Sequence, residues 1–276
     1  MKKIIIALDG EHFPKGAFEF AKYINTLNEI LLAGVFLSPV DYSRVMAYTN
    51  TGEGVAVLPQ WLMKGDDEPI INSNIRDFEA ACTLAGLHYR VHKDNDFMAL
   101  STLVEETRYA DVLLVSSDLF YKNIDSGQPN FYLEEVLKRA ECPVMLIPEN
   151  FKVPEQVILS YDGSESSAFA IKQFAYLFPE LASKETKLVF VSEDGADELP
   201  GYIMLTELLG RHFPELQIQN LPMKSKHFFV DWLEVQPNGY VVMGAFSRSA
   251  LSTLLRKSFA RDVIQNIKMP IFISHK

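Results

Sequence analysis

Few side chains in this sequence combine a reactive type with a spacing that chemistry could use. His88 and His92 stand four apart, which on a helix would turn both imidazoles to one side as metal ligands. They fall in Leu87-His88-Tyr89-Arg90-Val91-His92, where apolar and polar residues alternate, so they share the wet face of a strand instead. Cys82 and Cys142 belong to no Cys-x-x-Cys pair, and neither a zinc nor a dithiol site is expected. Asp66-Asp67-Glu68 could hold a cation, but reads more simply as a solvated acidic turn. There is no Gly-x-x-x-x-Gly-Lys-Ser/Thr phosphate loop and no Gly-x-Gly-x-x-Gly fingerprint. What remains is Asp9-Gly10 and Asp162-Gly163-Ser164, each closing an apolar run. Either can be a tight turn leading into a helix N-cap. No general base and no metal-binding carboxylate cluster accompanies them, so no catalytic constellation can be assembled and the chain is not expected to be an enzyme.

The elements that hold these turns occur twice. Ile4-Ile5-Ile6-Ala7-Leu8-Asp9-Gly10 returns as Val157-Ile158-Leu159-Ser160-Tyr161-Asp162-Gly163. Ala110-Asp111-Val112-Leu113-Leu114-Val115 returns as Asn238-Gly239-Tyr240-Val241-Val242-Met243, and Cys142-Pro143-Val144-Met145-Leu146-Ile147 as Met269-Pro270-Ile271-Phe272-Ile273-Ser274. Three matches in the same order define an internal repeat. They predict two domains, 1–150 and 151–276, joined near Pro148–Pro154.

Within each copy, strand-length apolar runs alternate with helical patterns, the signature of a parallel sheet. The predicted strands are 3–9, 30–38, 87–92, 111–116 and 143–148, then 156–162, 186–192, 216–221, 239–244 and 270–275. Ala17, Phe20, Ala21, Ile24 and Leu27 share one face of the first helix; Ala168, Ile171, Ala175 and Phe178 do so in its counterpart. Continuous apolar runs such as Val112–Val115 suit central strands. The third strand of each copy alternates, as in Leu216-Gln217-Ile218-Gln219, and is placed at the sheet edge, with the first and fourth strands adjacent. Ligands of such sheets sit at the carboxyl ends of the strands where the winding reverses. The first copy carries an extra stretch near 40–70, holding Trp61, Leu62 and Met63. It either packs on its own domain or the other copy, or serves as a docking or lid segment.

The net charge of -10 and the lack of a basic stripe argue against a nucleic-acid partner. No apolar run approaches the roughly 20 residues needed to cross a bilayer, and Asp9 interrupts the opening run too early for a signal peptide. With two cysteines and no disulfide framework, a cytoplasmic location is expected.

Over nearly its whole length this pattern resembles the universal stress protein family in its tandem two-domain form. The resemblance rests on the strand ending Tyr161-Asp162-Gly163-Ser164, the strand ending Val242-Met243-Gly244, and the closing Met269-Pro270 strand. It implies two tandem open, doubly wound five-stranded parallel-sheet α/β domains of the adenine nucleotide alpha hydrolase-like type, packed as a pseudo-dimer. It also implies a non-enzymatic stress-response protein. ATP-binding members carry Gly, two residues, Gly, nine residues, then Gly followed by Ser or Thr. The second copy reads Gly244-Ala245-Phe246-Ser247, nine residues, then Lys257-Ser258, so the spacing is kept and two glycines are replaced.

The first glycine would let a ligand approach the strand end, and Ser258 would present a hydroxyl at a helix start, where anions are favoured. Ser247 can still face phosphate. Lys257 either crowds the loop or neutralises a phosphate, with Arg248 and Arg256 adding positive charge. By the same resemblance Asp162, beside Gly163, would face adenosine, with Val191 and Met243 lining its pocket. The implied ligand is ATP or another adenine nucleotide in the second copy; no metal site is implied. The alternative is an interaction module whose two sites are both degenerate, acting through an unidentified protein partner or further dimerisation. In the first copy Ser116-Ser117-Asp118-Leu119 and Asn130-Phe131 stand in place of the loop, with Asp118 and Asp125 negative there, and no nucleotide is expected.

Overall fold

The computed structural model describes residues 1–10, 12–37, 68–93, 99–120, 122, 130–192, 199–222, 227–244 and 263–274. Ten strands form one sheet in the order β3-β2-β1-β4-β5-β10-β9-β6-β7-β8. In the first half they are β1 (Lys2–Leu8), β2 (Ile30–Phe36), β3 (His88–Lys93), β4 (Val112–Ser116) and β5 (Val144–Ile147). The second half supplies β6 (Gln156–Tyr161), β7 (Glu185–Ser192), β8 (Leu216–Pro222), β9 (Gly239–Gly244) and β10 (Ile271–Ser274). All pairings within a half are parallel, and the halves meet where β5 and β10 pair antiparallel, Phe272 opposite Met145. The predicted strands stand within one or two residues of these, and each alternating third strand is an edge.

The described helices are α1 (Lys15–Leu27), α2 (Glu68–Leu84), α3 (Ala99–Thr107), α4 (Phe131–Arg139), α5 (Glu165–Leu177), the short α6 (Pro179–Ala182), α7 (Tyr202–His212) and α8 (His227–Glu234). A further helical turn spans 263–266. They cover both faces. α1, α2, α5, α6 and α7 contribute to one apolar cluster with Ile4, Ile6, Leu159 and Phe272. α3, α4, α8 and the 263–267 segment close the other with Ile5, Leu113, Val241 and Ile273. Successive strand residues point to opposite faces, so runs such as Val112–Val115, buried throughout, must be apolar on both sides. On the α1 side the halves share an aromatic core: Phe20 lies 6.1 Å from Phe178 and 6.2 Å from Tyr240, ring centre to ring centre. Leu27, by contrast, ends α1 exposed. No described helix is long and apolar enough to cross a membrane.

Because β5 and β10 run in opposite directions, the carboxyl ends of the two halves point to opposite ends of the sheet. The two switch points, β1 beside β4 and β6 beside β9, therefore lie apart, at opposite ends of one continuous sheet. Most of the extra 40–70 stretch lies outside the described residues.

Candidate functional site at the carboxyl end of β6

In the second half the chain leaves β6 at Tyr161 and turns sharply. Asp162 Oδ1 accepts from Ser164 N at 2.9 Å, a side-chain turn that fixes the exit. Gly163 adopts φ +80°, and a Cβ there would stand 2.9 Å from Pro200 Cγ, so glycine is required by conformation and by space. Ser164 then caps α5, its Oγ accepting from Ser167 N at 3.2 Å. The result is an exposed carboxylate, Asp162, set beside the N-terminus of a 13-residue helix, whose partial positive charge favours anions.

β9 supplies the other wall. Gly244 ends that strand, and a Cβ on it would fall 2.6 Å from Ser167 N and 2.7 Å from Ser166 C. This glycine lets β9 and the first turn of α5 touch; the space its missing side chain leaves is filled by protein. Met243 is 3 % exposed and packed in the cluster that holds Phe229 and Ile273. Val191 follows Phe190, which pairs with Tyr161, so its backbone runs beside Asp162. The structure thus brings Asp162, Gly163, Val191, Met243 and Gly244 to the ends of three neighbouring strands. Ser247, Arg248, Lys257 and Ser258 lie outside the described residues.

One neighbour was not legible as such in the sequence. The segment 199–201 crosses the end of β6, where Tyr161 OH donates to Pro200 O at 2.8 Å. Burial, and then the Asp162 carboxylate, raise the Tyr161 phenol, keeping it a donor. Gly201, at φ +66°, starts α7 from the left-handed region. Pro-Gly between a strand and a helix is a turn signal, but nothing in it points to β6.

The corresponding place in the first half is differently furnished. Asp9 is 5 % exposed, and its carboxylate accepts from His12 N at 2.9 Å and meets His12 Nδ1 at 3.1 Å. Gly10 adopts φ +82°, with Leu37 O where a Cβ would be, and its carbonyl accepts from Asn74 Nδ2. Ser116 Oγ accepts from Leu119 N at 3.1 Å. Asn130 is buried, its Oδ1 accepting from Leu133 N at 2.9 Å to cap α4 and its Nδ2 donating to Phe120 O. Asp118 accepts from Glu149 N at 2.8 Å and from Lys268 Nζ at 2.9 Å, the lysine coming from the second half. Glu149 Oε1 in turn accepts from Lys15 N and serves the α1 N-terminus, where Pro14 offers no side-chain cap.

Ala7, Asp9, His12, Pro14, Ser116, Leu119 and Phe120 line a narrow, solvent-open cleft with room for little more than a water molecule. Three carboxylates thus stand near strand ends where a phosphate would need cations. His12, three residues after Asp9, is a partner that the sequence reading missed; its spacing suits a turn, which was the available signal. Asp125 lies outside the described residues.

Elsewhere, His88 is on the exposed β3 edge beside Glu29, and His92 Nδ1 lies 2.7 Å from Glu106 Oε1. Cys82 and Cys142 are buried free thiols. Among the described residues no three His, Cys, Asp or Glu side chains gather to hold a metal.

No protein-family model matches the sequence, and no curated protein does. Solved structures do match. A universal stress protein from Archaeoglobus fulgidus DSM 4304 superposes with a TM-score of 0.63 at 15 % identity, covering 100 % of this chain and 96 % of its own. A universal stress protein from Pseudomonas aeruginosa UCBPP-PA14 gives 0.58 at 12 %, covering 100 % and 93 %. A protein of unknown function from Pseudomonas aeruginosa PAO1 gives 0.57 at 12 %, covering 100 % and 92 %. The chain has the fold of the tandem universal stress proteins, two doubly wound α/β halves joined through their last strands.

Proposed function

We propose that this chain is a universal stress protein in tandem form, non-enzymatic, with domains 1–150 and 151–276, and that its second domain takes an adenine nucleotide. The observation that carries this reading is the asymmetry of the two switch points. At the first, Asp9 is held by His12, Asn130 is spent on capping α4, and Asp118 is held by Lys268. At the second, Asp162 is exposed beside the capped start of α5 and one strand away from Gly244. Asp162 would accept hydrogen bonds from the nucleoside. Ser247, Arg248, Lys257 and Ser258, following β9, would meet the phosphates, Lys257 and Arg248 as counter-charges and the two serines as hydroxyl donors. ATP is the ligand to test first. Calorimetric titration with ATP and AMP, with and without Mg²⁺, tests the reading through saturable heat near one equivalent. The absence of hydrolysis above buffer background tests its non-enzymatic part.

A second reading draws on Gly244. Its missing side chain makes room for Ser166 and Ser167, so this glycine has a packing role without any ligand. On that reading both sites are degenerate and the domain pair serves a protein partner.

A further inference from the structure

The ten-stranded sheet ends in two edges of different character. β3 carries His88, Arg90, His92 and Lys93, charged or ionisable groups of the kind that keep a foreign strand away. β8 carries none: Gln217, Ile218, Gln219 and Asn220 are all exposed and all uncharged. Its inner side is paired with β7 from Leu216 to Pro222, and no described strand lies on its outer side. Such an edge leaves alternate backbone N–H and C=O groups ready to extend the sheet. Helix α7, which leads into β8, adds Tyr202, Ile203 and Met204 to the exposed apolar residues of the same strand–helix–strand unit.

We propose that β8 pairs antiparallel with β8 of a second copy of this chain about a two-fold axis. Such a pairing sets the strand against itself. Centred on Ile218, it opposes Ile218 to its own copy, Gln217 to Gln219 and Leu216 to Asn220, with no like charges face to face. The same operation on β3 centred on Arg90 would oppose arginine to arginine and His88 to His92. A charged extended peptide would find no counter-charge on β8, whereas self-pairing needs none. The guarded β3 edge then stops growth, so the assembly closes as a dimer and does not run on as a filament. Each chain carries a formal charge of -10, so salt should tighten the dimer by screening the repulsion between copies.

Sedimentation of the full chain over a range of concentrations tests this. The expected result is twice the mass of 31.3 kDa, with the dissociation constant falling as salt is raised. Gln217→Lys with Gln219→Lys, which opposes cations across the two-fold, should give a monomer with unchanged circular dichroism and melting. Arg90→Glu on β3 should leave the dimer intact. Amide exchange at 217–220 should slow with concentration in the wild type and not in the double variant. A wild-type chain that stays monomeric throughout overturns the proposal. So does a double variant that still dimerises, since the contact then lies elsewhere.

Discussion

Lys268 and Asp118 join the two halves of the chain: the lysine Nζ lies 2.9 Å from the aspartate Oδ1. Lys268 precedes β10, whose start lies beside the end of β5, so the antiparallel junction delivers a cation from one repeat to the strand ends of the other. Asp118 also accepts from Glu149 N. Removing the lysine should therefore cost less than removing the aspartate. Lys268→Ala is expected to lose under about 1 kcal/mol, fading with salt, since the ammonium is exposed. Asp118→Ala, which strips an acceptor from a backbone N–H, should lose more, on the order of 1–2 kcal/mol. Urea denaturation in low and high salt reads both.

Asn130 is the buried cap of α4 and bonds at both ends of its amide. Asn130→Ala should destabilise by about 1–3 kcal/mol, combining a lost cap with an unsatisfied Phe120 carbonyl. Chemical denaturation measures it, and a loss below a few tenths would show that water replaces the amide.

Tyr240 presents the opposite case. Its ring sits in the shared aromatic core, and its hydroxyl is buried with no hydrogen-bond partner among the described residues. Burial, and then Tyr23, push its phenol far above the ordinary tyrosine value. Tyr240→Phe should be neutral or stabilising, by up to about 1 kcal/mol, because an unpaired hydroxyl in an apolar core costs free energy. A lower melting temperature would reveal a partner for that hydroxyl.

Alkaline pH should destabilise the fold through its thiols. Burial first, and Glu79 for Cys82 or Asp111 for Cys142 second, pushes both up to about 12. In the unfolded chain a thiol titrates near ~8.5. Above that value the unfolded state binds fewer protons than the native one, so stability declines with rising pH. This contribution is full below about pH 8.5 and is lost progressively as pH climbs toward 12. Unfolding free energies measured from pH 7 to 10 should fall, and Cys142→Ala should flatten the slope. An unchanged slope would place the alkaline sensitivity elsewhere.

Much of the fold was legible because each strand carries its environment in its pattern. Val112–Val115, apolar and buried on both faces, reads as central; the alternation of Leu216–Gln219 reads as an edge. The merging of the halves into one sheet was not legible. Val144–Ile147 and Ile271–Ser274 are both buried along their whole length, and four apolar residues do not say whether the next strand belongs to the same repeat. At the candidate site, Asp162 and Gly163 were legible as a turn closing a strand and Gly244 as the end of a strand, while a ligand beside them was only what the family resemblance implied. Pro200 and His12 were not legible. One reaches β6 from a later connection, and the other is a lone histidine in an irregular turn, where no periodicity ties it to Asp9.

Calorimetric titration of the folded chain with ATP tests whether an adenine-nucleotide site is confined to the second half. Saturation is expected near one equivalent, abolished by Ser258→Ala combined with Lys257→Glu and retained in Asn130→Ala, which alters only the first half. No heat up to millimolar ATP in a folded sample would contradict it and leave both switch points as scaffold.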